Sequence, residues 1–300
     1  MLLTILYDII APVFLLMGLG FLLDRRLRFD MKTLGNLNFY VFAPALVFMV
    51  LVEADMTLAV MGSIGGFCLI HLVILYAIGR WVFSLHTALR QRKTVLSLST
   101  LFYNAGNYGI PLILLAFGES HLEVIAVVLA MQNLLSFTVG IALLEHDRHP
   151  GRMLVNLVKV PMVQVIVLAI LIRVVGFDFS SVEILAKPVR FLGNGLIPVA
   201  LITLGAQLSR AQPSGIKMPL AAVTLMRLVV SPLIAAVLVR WFGFDQPVSS
   251  ILIVAAGLPV AVNVAILAGV YQRDEDLASQ AVFWTTIISA ISVSVLLMIF

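Results

Sequence analysis

About ten apolar stretches of roughly twenty residues each follow one another along this chain, and that succession constrains the fold more than any motif. A helix of about 20 residues spans about 30 Å, the thickness of a bilayer's hydrocarbon core. In lipid every backbone N–H and C=O needs a partner within the protein, so runs of this length specify helices. They are approximately Leu3–Leu23, Leu34–Val52, Leu58–Ile78, Val95–Phe117, Leu122–Leu144, Met153–Val175, Ile184–Leu208, Met218–Phe242, Val248–Val270 and Leu277–Phe300. Of the 300 residues, 11% are charged, against about 25% in an ordinary soluble domain. The expectation is an all-α polytopic membrane protein with no room for a sizeable soluble domain.

The intervals alternate in charge. The first run is followed by Arg25, Arg26, Arg28 and Lys32, the second by VEADM alone. Arg80, Arg90, Arg92 and Lys93 follow the third, and GESHLE follows the fourth. After the fifth come Arg148 and Arg152 with Lys159 beyond, after the seventh Arg210 and Lys217, and after the ninth YQRDED. The other side holds mainly Arg173, Lys187, Arg190 and Arg240. Positive charge belongs on the cytoplasmic side, which predicts both termini outside a cell inner (plasma) membrane. The pI near 9.4 is therefore a topology signal, with no nucleic-acid partner implied. The lone Cys68 excludes an internal disulfide and a cysteine metal cluster. The N-terminal MLLTILYDIIAPVF lacks a basic leader region and a small-residue cleavage site, so a retained first helix is expected rather than a removed signal peptide.

The fourth run contains LFYNAGNYGIPLILLAFG, Leu101–Gly118. Pro111 has no N–H, and its ring clashes with the Asn107 carbonyl in a regular helix; Ile110 before it is pushed out of the helical region. Gly106 and Gly109 open conformations closed to other residues, and Asn104 and Asn107 bring donors and acceptors to the same place. Taken alone, the stretch is either a kinked spanning helix packed on a neighbour or a discontinuous helix lining a substrate site. A second such stretch favours the latter: Ala255–Gly269 holds Gly257, Pro259 and, one turn on, Asn263. The prolines also repeat. Pro12, Pro44 and Pro111 recur as Pro161, Pro198 and Pro259 about 150 residues later, and APALVF (Ala43–Phe48) matches IPVALI (Ile197–Ile202). Two units of five helices, 1–150 and 151–300, have to insert upside-down relative to each other, an inverted repeat whose broken fourth and ninth helices cross near the midplane.

These motifs resemble the auxin efflux carrier family. N-A-G-N-Y-G-I-P (Asn104–Pro111), with A-F-G at Ala116–Gly118 after it, is similar to that family's fourth helix. G-L-P (Gly257–Pro259) followed by A-x-x-Y, and L-A-S-x-A (Leu277–Ala281), are similar to its last two helices. P-x-A-L-x-x-L-G-A-x-L (Pro198–Leu208) resembles its seventh. The resemblance covers nearly the whole chain and is to the compact prokaryotic members, some described as malonate or malate transporters, without the long loop of many plant PIN proteins. It implies an NhaA-like fold of ten helices, with helices one, two, six and seven as scaffold and three, four, five, eight, nine and ten as transport bundle. It further implies a homodimer, elevator-like motion and an organic anion as cargo, with no cofactor.

By the same resemblance Asn104 matches the asparagine that contacts the substrate carboxylate; the plainer reading is an Asn that caps the broken half-helix. Asn107 and Asn263, with Pro111 and Pro259, complete the expected substrate site, although amides also serve as interhelical glue. Gly106, Gly109 and Gly257 are expected to make the breaks. Gln132 matches a glutamine of the family's polar support site. The charged third-helix residues of that site are missing, and His71 alone stands there, either a proton site or a hydrogen-bonded interior histidine. Arg227 is the clearly intramembrane charge, costly unless it faces a cavity or partner. It either attracts an anion or snorkels to the surface. Asp8, Glu53 and Glu119 lie near outer ends, with Asp8 deep enough to partner an arginine.

The favoured function is a secondary or potential-driven carrier (an efflux carrier) of small organic anions such as carboxylates, malonate, malate or auxin-like. The alternative is a sodium- or proton-coupled symporter of the bile acid type, or a cation/proton antiporter. An antiporter needs buried carboxylates at the crossover, and neither break has one. No HExxH, paired intramembrane Asp, suitable GxSxG or Walker A motif is present, so neither an enzyme nor direct use of ATP is expected. A non-transporting receptor would leave two broken helices without a purpose.

Overall fold

The computed structural model describes residues 2–145, 160–212 and 215–300. Almost all are helical, and the described residues contain no strand beyond one isolated β-bridge. In chain order come α1 (Leu2–Leu27), α2 (Met31–Glu53), α3 (Leu58–Val82), and then α4 (Lys93–Leu101) and α5 (Ala105–Phe117), which share the fourth run. They are followed by α6 (Glu119–Leu144), α7 (Pro161–Val175), α8 (Glu183–Arg210) and α9 (Met218–Phe242). Next, α10 (Val248–Ala256) and α11 (Val262–Val270) share the ninth run, and α12 (Glu275–Ile299) ends the chain. Among the described residues, seven helices, α1, α2, α3, α6, α8, α9 and α12, are long and apolar enough to cross a membrane. The expected start of the sixth run at Met153, with Arg148, Arg152 and Lys159, lies outside the described residues.

Helix ends follow the local sequence. Thr57 opens α3 by accepting the Val60 N–H, and Asp30 opens α2 by accepting that of Lys32. Gly176 and Gly243 close α7 and α9 in the left-handed region (φ 71° and 69°). Each lets the next residue bond back into the last turn, Phe177 to Ile172 and Phe244 to Val239.

The prolines act differently from expectation. Pro12, Pro44, Pro111 and Pro232 each sit two residues beyond a π turn, at Leu6–Ile10, Asn38–Phe42, Ala105–Gly109 and Met226–Val230. A π turn bonds five residues back, which moves the crowded carbonyl away from the ring and absorbs the missing N–H. The helix therefore runs through Pro111, and Ile110 is helical (φ −58°, ψ −53°), not extended. The fourth-helix break lies upstream, at Phe102 (φ −105°, ψ 121°) and Asn104 (φ −81°, ψ 67°). Gly106 and Gly109 likewise do not make it, since both lie inside the π turn, Gly109 at φ −68°. At Gly109 the two breaks come close: a Cβ there would stand 2.7 Å from a Leu258 methyl, which would have to turn aside. Pro188 and Pro198 lie within the uninterrupted α8.

α1 packs on α8 through reciprocal glycines. A Cβ on Gly20 would overlap the Ile202 backbone, and one on Gly205 the Met17 carbonyl, so the axes approach to a distance only glycine permits. Arg210 fastens the far ends of this pair with a two-pronged bond to Asp24, Nε to Oδ2 at 3.0 Å and a terminal nitrogen to Oδ1 at 2.7 Å. α2 packs on α7 and α8. Arg173 donates to the carbonyls of Leu51 and Met56, and Arg190 pairs with Glu53. The outer helices present apolar residues outward, among them Leu15, Leu22, Val174, Val175, Val237 and Trp241. By contrast α10 is buried from Ser249 to Ala256, and α4 from Val95 to Leu101. Among the described residues the most enclosed elements are therefore those that run into the breaks.

Candidate functional site

The two breaks meet. Tyr103 and Val260 form an antiparallel β-bridge, in which the Asn104 N–H donates to the Pro259 carbonyl and the Ala261 N–H to the Phe102 carbonyl, both at 2.9 Å. Two outward-facing amides remain at this depth. Gln132 Oε1 on α6 accepts the Tyr103 N–H at 3.3 Å, and Thr285 Oγ1 on α12 accepts that of Val260 at 3.0 Å. Each unpaired group here would cost several kcal/mol, so these partners are what make an interruption tolerable. Gln132 was expected near this place. Thr285 was not, because a threonine in an apolar helix has no distinguishing sequence context.

Against the breaks lies a cavity of about 90 Å³. Its polar lining is Asn38, Tyr103, Asn104, Asn107, Gln132, Asn133, Ser136 and Asn263, with Gly106 and Ala261 among the remaining walls. Among the described residues no Asp, Glu, Lys, Arg or His lines it. The cavity adjoins the N-terminal ends of α5 and α11, where the helix dipole is positive and backbone N–H groups lack intrahelical partners. Asn104 does two things at once. Its Oδ1 caps α5 by accepting the Asn107 N–H at 3.1 Å, while its Nδ2, equally buried, has no partner among the described residues. Asn38 is similar in the opposite sense: its Nδ2 donates to Thr203 Oγ1 at 3.2 Å and its Oδ1 has no partner among the described residues. Space of this size admits several waters or one small anion.

The structure thus brings Asn104, Asn107, Asn263 and Gln132 together, and leaves Pro111 and Pro259 outside the lining. Pro259 contributes its carbonyl to the bridge. Gly257 lies at the end of α10 with φ −93°, and a Cβ there would overlap Leu296. Asn38, Asn133 and Ser136 were missed. The first belongs to α2; Ser136 follows Gln132 by one helical turn, a spacing that could have pointed to it, and Asn133 is the immediate neighbour of Gln132.

Arg227 neither enters the cavity nor snorkels. It is 0% exposed, with its guanidinium held between the ends of two half-helices. It donates to the Thr100 carbonyl at the end of α4, to the Ala256 carbonyl at the end of α10, and to the Ser231 hydroxyl. Its plane carbon lies 4.8 Å from the Tyr103 ring centroid, a cation–π contact. Ser231 also donates to Ala256 O at 2.7 Å. His71 stacks on Phe67 and reaches the Ser231 carbonyl at 3.1 Å, an interior hydrogen-bonded histidine. Asp8 is exposed on α1 and takes no part. The arrangement is dipolar: the two negative helix ends close on an arginine, and the two positive ends open on a neutral, amide-lined cavity.

The family described as "Membrane transport protein" matches residues 5–297. Among curated proteins, an uncharacterized transporter of Methanocaldococcus jannaschii is 25% identical over 277 residues, covering 88% of this chain and 87% of that protein. A protein of Rhizobium meliloti named "Putative malonate transporter" is 23% identical over 311 residues, covering 96% and 94%. An uncharacterized transporter of Methanothermobacter thermautotrophicus is 26% identical over 267 residues, covering 88% and 87%.

Proposed function

The chain belongs to the membrane transport protein family, the auxin efflux carriers that its motifs resemble, and from that membership we propose that it carries small organic anions, carboxylates above all. Membership and the names of its relatives make it a multi-pass membrane transporter and not an enzyme. The observation that carries the substrate reading is the unpartnered Asn104 Nδ2 in a residue lining a cavity at two helix N-termini. Helix N-termini bind anions without a formal charge, and a buried amide donor lacking an acceptor is satisfied by a carboxylate oxygen. The relative named for malonate agrees in chemical class. A lining without Asp or Glu speaks against the cation antiporter.

In this reading the seven long helices, the two broken pairs and α7 amount to ten spans in two inverted units, 1–150 and 151–300. α1, α2, α7 and α8, joined by their glycine contacts and arginine bonds, form the scaffold. The bundle around the crossover moves against it as an elevator, in a homodimer of the inner membrane with both termini outside. The test is uptake of a labelled carboxylate panel into proteoliposomes, with pH, sodium and voltage varied separately. Saturable uptake of a small carboxylate supports the reading. Uptake of none, together with sodium or proton flux, would replace it with the cation-coupled alternative.

A further inference from the structure

The two cavity-lining residues with an unpartnered buried polar atom present opposite chemistry, a donor at Asn104 Nδ2 and an acceptor at Asn38 Oδ1. Asn38 sits on α2 and is oriented by Thr203 on α8, whose hydroxyl donates in turn to Val199 O at 2.7 Å. Asn104 sits at the crossover, its other amide atom committed to the cap of α5. A carboxylate satisfies the donor, but no ionised carboxylate satisfies the acceptor; that takes an O–H or N–H.

The charges around the site agree with this. A helix end carries about half an elementary charge, negative at the C-terminus and positive at the N-terminus. Arg227 faces the C-terminal ends of α4 and α10, which together offset its one positive charge. The N-terminal ends of α5 and α11 at the cavity together offset one negative charge. Among the described residues the titratable groups about the crossover are Tyr103 in the lining, Tyr108 on α5, whose hydroxyl accepts from Ser289 on α12, Arg227 on α9, and His71 and Cys68 on α3; α6 adds the neutral Gln132, Asn133 and Ser136, and α12 adds Thr285. Asp24 is the only buried carboxylate among the described residues, and it is bound to Arg210.

We propose that the cavity accepts a single negative charge together with one hydrogen-bond donor, so that a short dicarboxylate is carried in its singly protonated form. Its ionised end lies at Asn104 and its acid O–H donates to Asn38 Oδ1. The inference rests on the anion-carrier reading above and adds the protonation state of the cargo.

The experiment uses the full chain in proteoliposomes with two probes, propionate and malonate, under potassium–valinomycin voltage control. Between about pH 8.5 and about pH 6.5 propionate stays almost fully ionised, while the singly protonated fraction of malonate rises more than tenfold; uptake is read above protein-free liposomes, which corrects for the permeant neutral acid. Malonate uptake at constant total concentration should rise about tenfold or more with one charge moved per malonate, while propionate uptake changes little. Asn38→Leu, which keeps the size and removes the acceptor, should lower the malonate-to-propionate uptake ratio about tenfold. Malonate uptake that ignores pH and carries two charges would overturn the inference and leave the anion carrier standing. Uptake of neither probe would remove the anion reading itself. A ratio unchanged in Asn38→Leu would overturn the acceptor's role. If that variant does not fold, the wild-type pH profile and charge count still decide.

Discussion

Asn104 is at once the cap of a half-helix and the holder of an unfilled donor. A hydrogen bond to a charged group is typically worth ~1.5–3 kcal/mol, and each ~1.4 kcal/mol is tenfold in affinity. Asn104→Ala should therefore weaken carboxylate binding about ten- to hundredfold in a direct binding titration, part of the loss arising from the cap. Asn104→Asp keeps the cap acceptor and replaces the donor by charge, so it separates the two roles. It should bind worse than Ala at neutral pH and recover in part as acid neutralises the aspartate; an Asp variant that binds normally would place the anion elsewhere. At this scale the sequence was informative where polarity stands out against an apolar background. Asn104, Asn107, Asn263 and Gln132 all proved to line one cavity. Asn38 carries the same amide but sits beside a polar interval, where amides are unremarkable. The partners of Arg227 were illegible because they are backbone carbonyls and a serine, brought together only by the crossing of two helices.

The elements divide the prolines into two kinds. Pro111 follows a π turn within continuing helix, whereas Pro259 stands inside the interruption between α10 and α11. Pro111→Ala leaves the bridge and its four amide partners in place, so transport in proteoliposomes should stay within a few-fold of wild type. Pro259→Ala restores an N–H that can bond back to Ala255 O, extending α10 through the bridge, and transport should be lost while membrane yield is kept. Equal damage from both would refute the distinction. Sequence reading located both interruptions but put the first one about eight residues too late. It assumed a regular helix before the proline, and the ring clash it invoked vanishes when the preceding turn is widened by one residue. No sequence pattern separates a π turn from an α turn here, because both keep their side chains helical.

On the scale of the whole molecule, the alternation of positive charge sets orientation. A cysteine placed between Arg90 and Lys93 should resist an impermeant thiol reagent in intact cells, and one appended at Phe300 should react. The native Cys68 is buried and adds little background. The reverse pattern would invert the topology. Composition and run length alone made the helical membrane class legible, since burial in lipid leaves a chain few options. The pairing of one break with another did not show in composition, because it depends on contacts between residues far apart in the chain. That pairing also has a cost in time. Phe102 and Asn104 have their bridge partners in Ala261 and Pro259, roughly 150 residues further on, and a ribosome adding about 5–20 residues per second needs about ten to thirty seconds to supply them. Until then the first interruption holds open amides and has to wait near water or under a chaperone's cover. A chain ended after Arg210 never receives those partners, and pulse-chase measurement should find it inserted but degraded within minutes, while the full chain persists. The newborn protein is thus most vulnerable during synthesis, in the interval between one half of its site and the other.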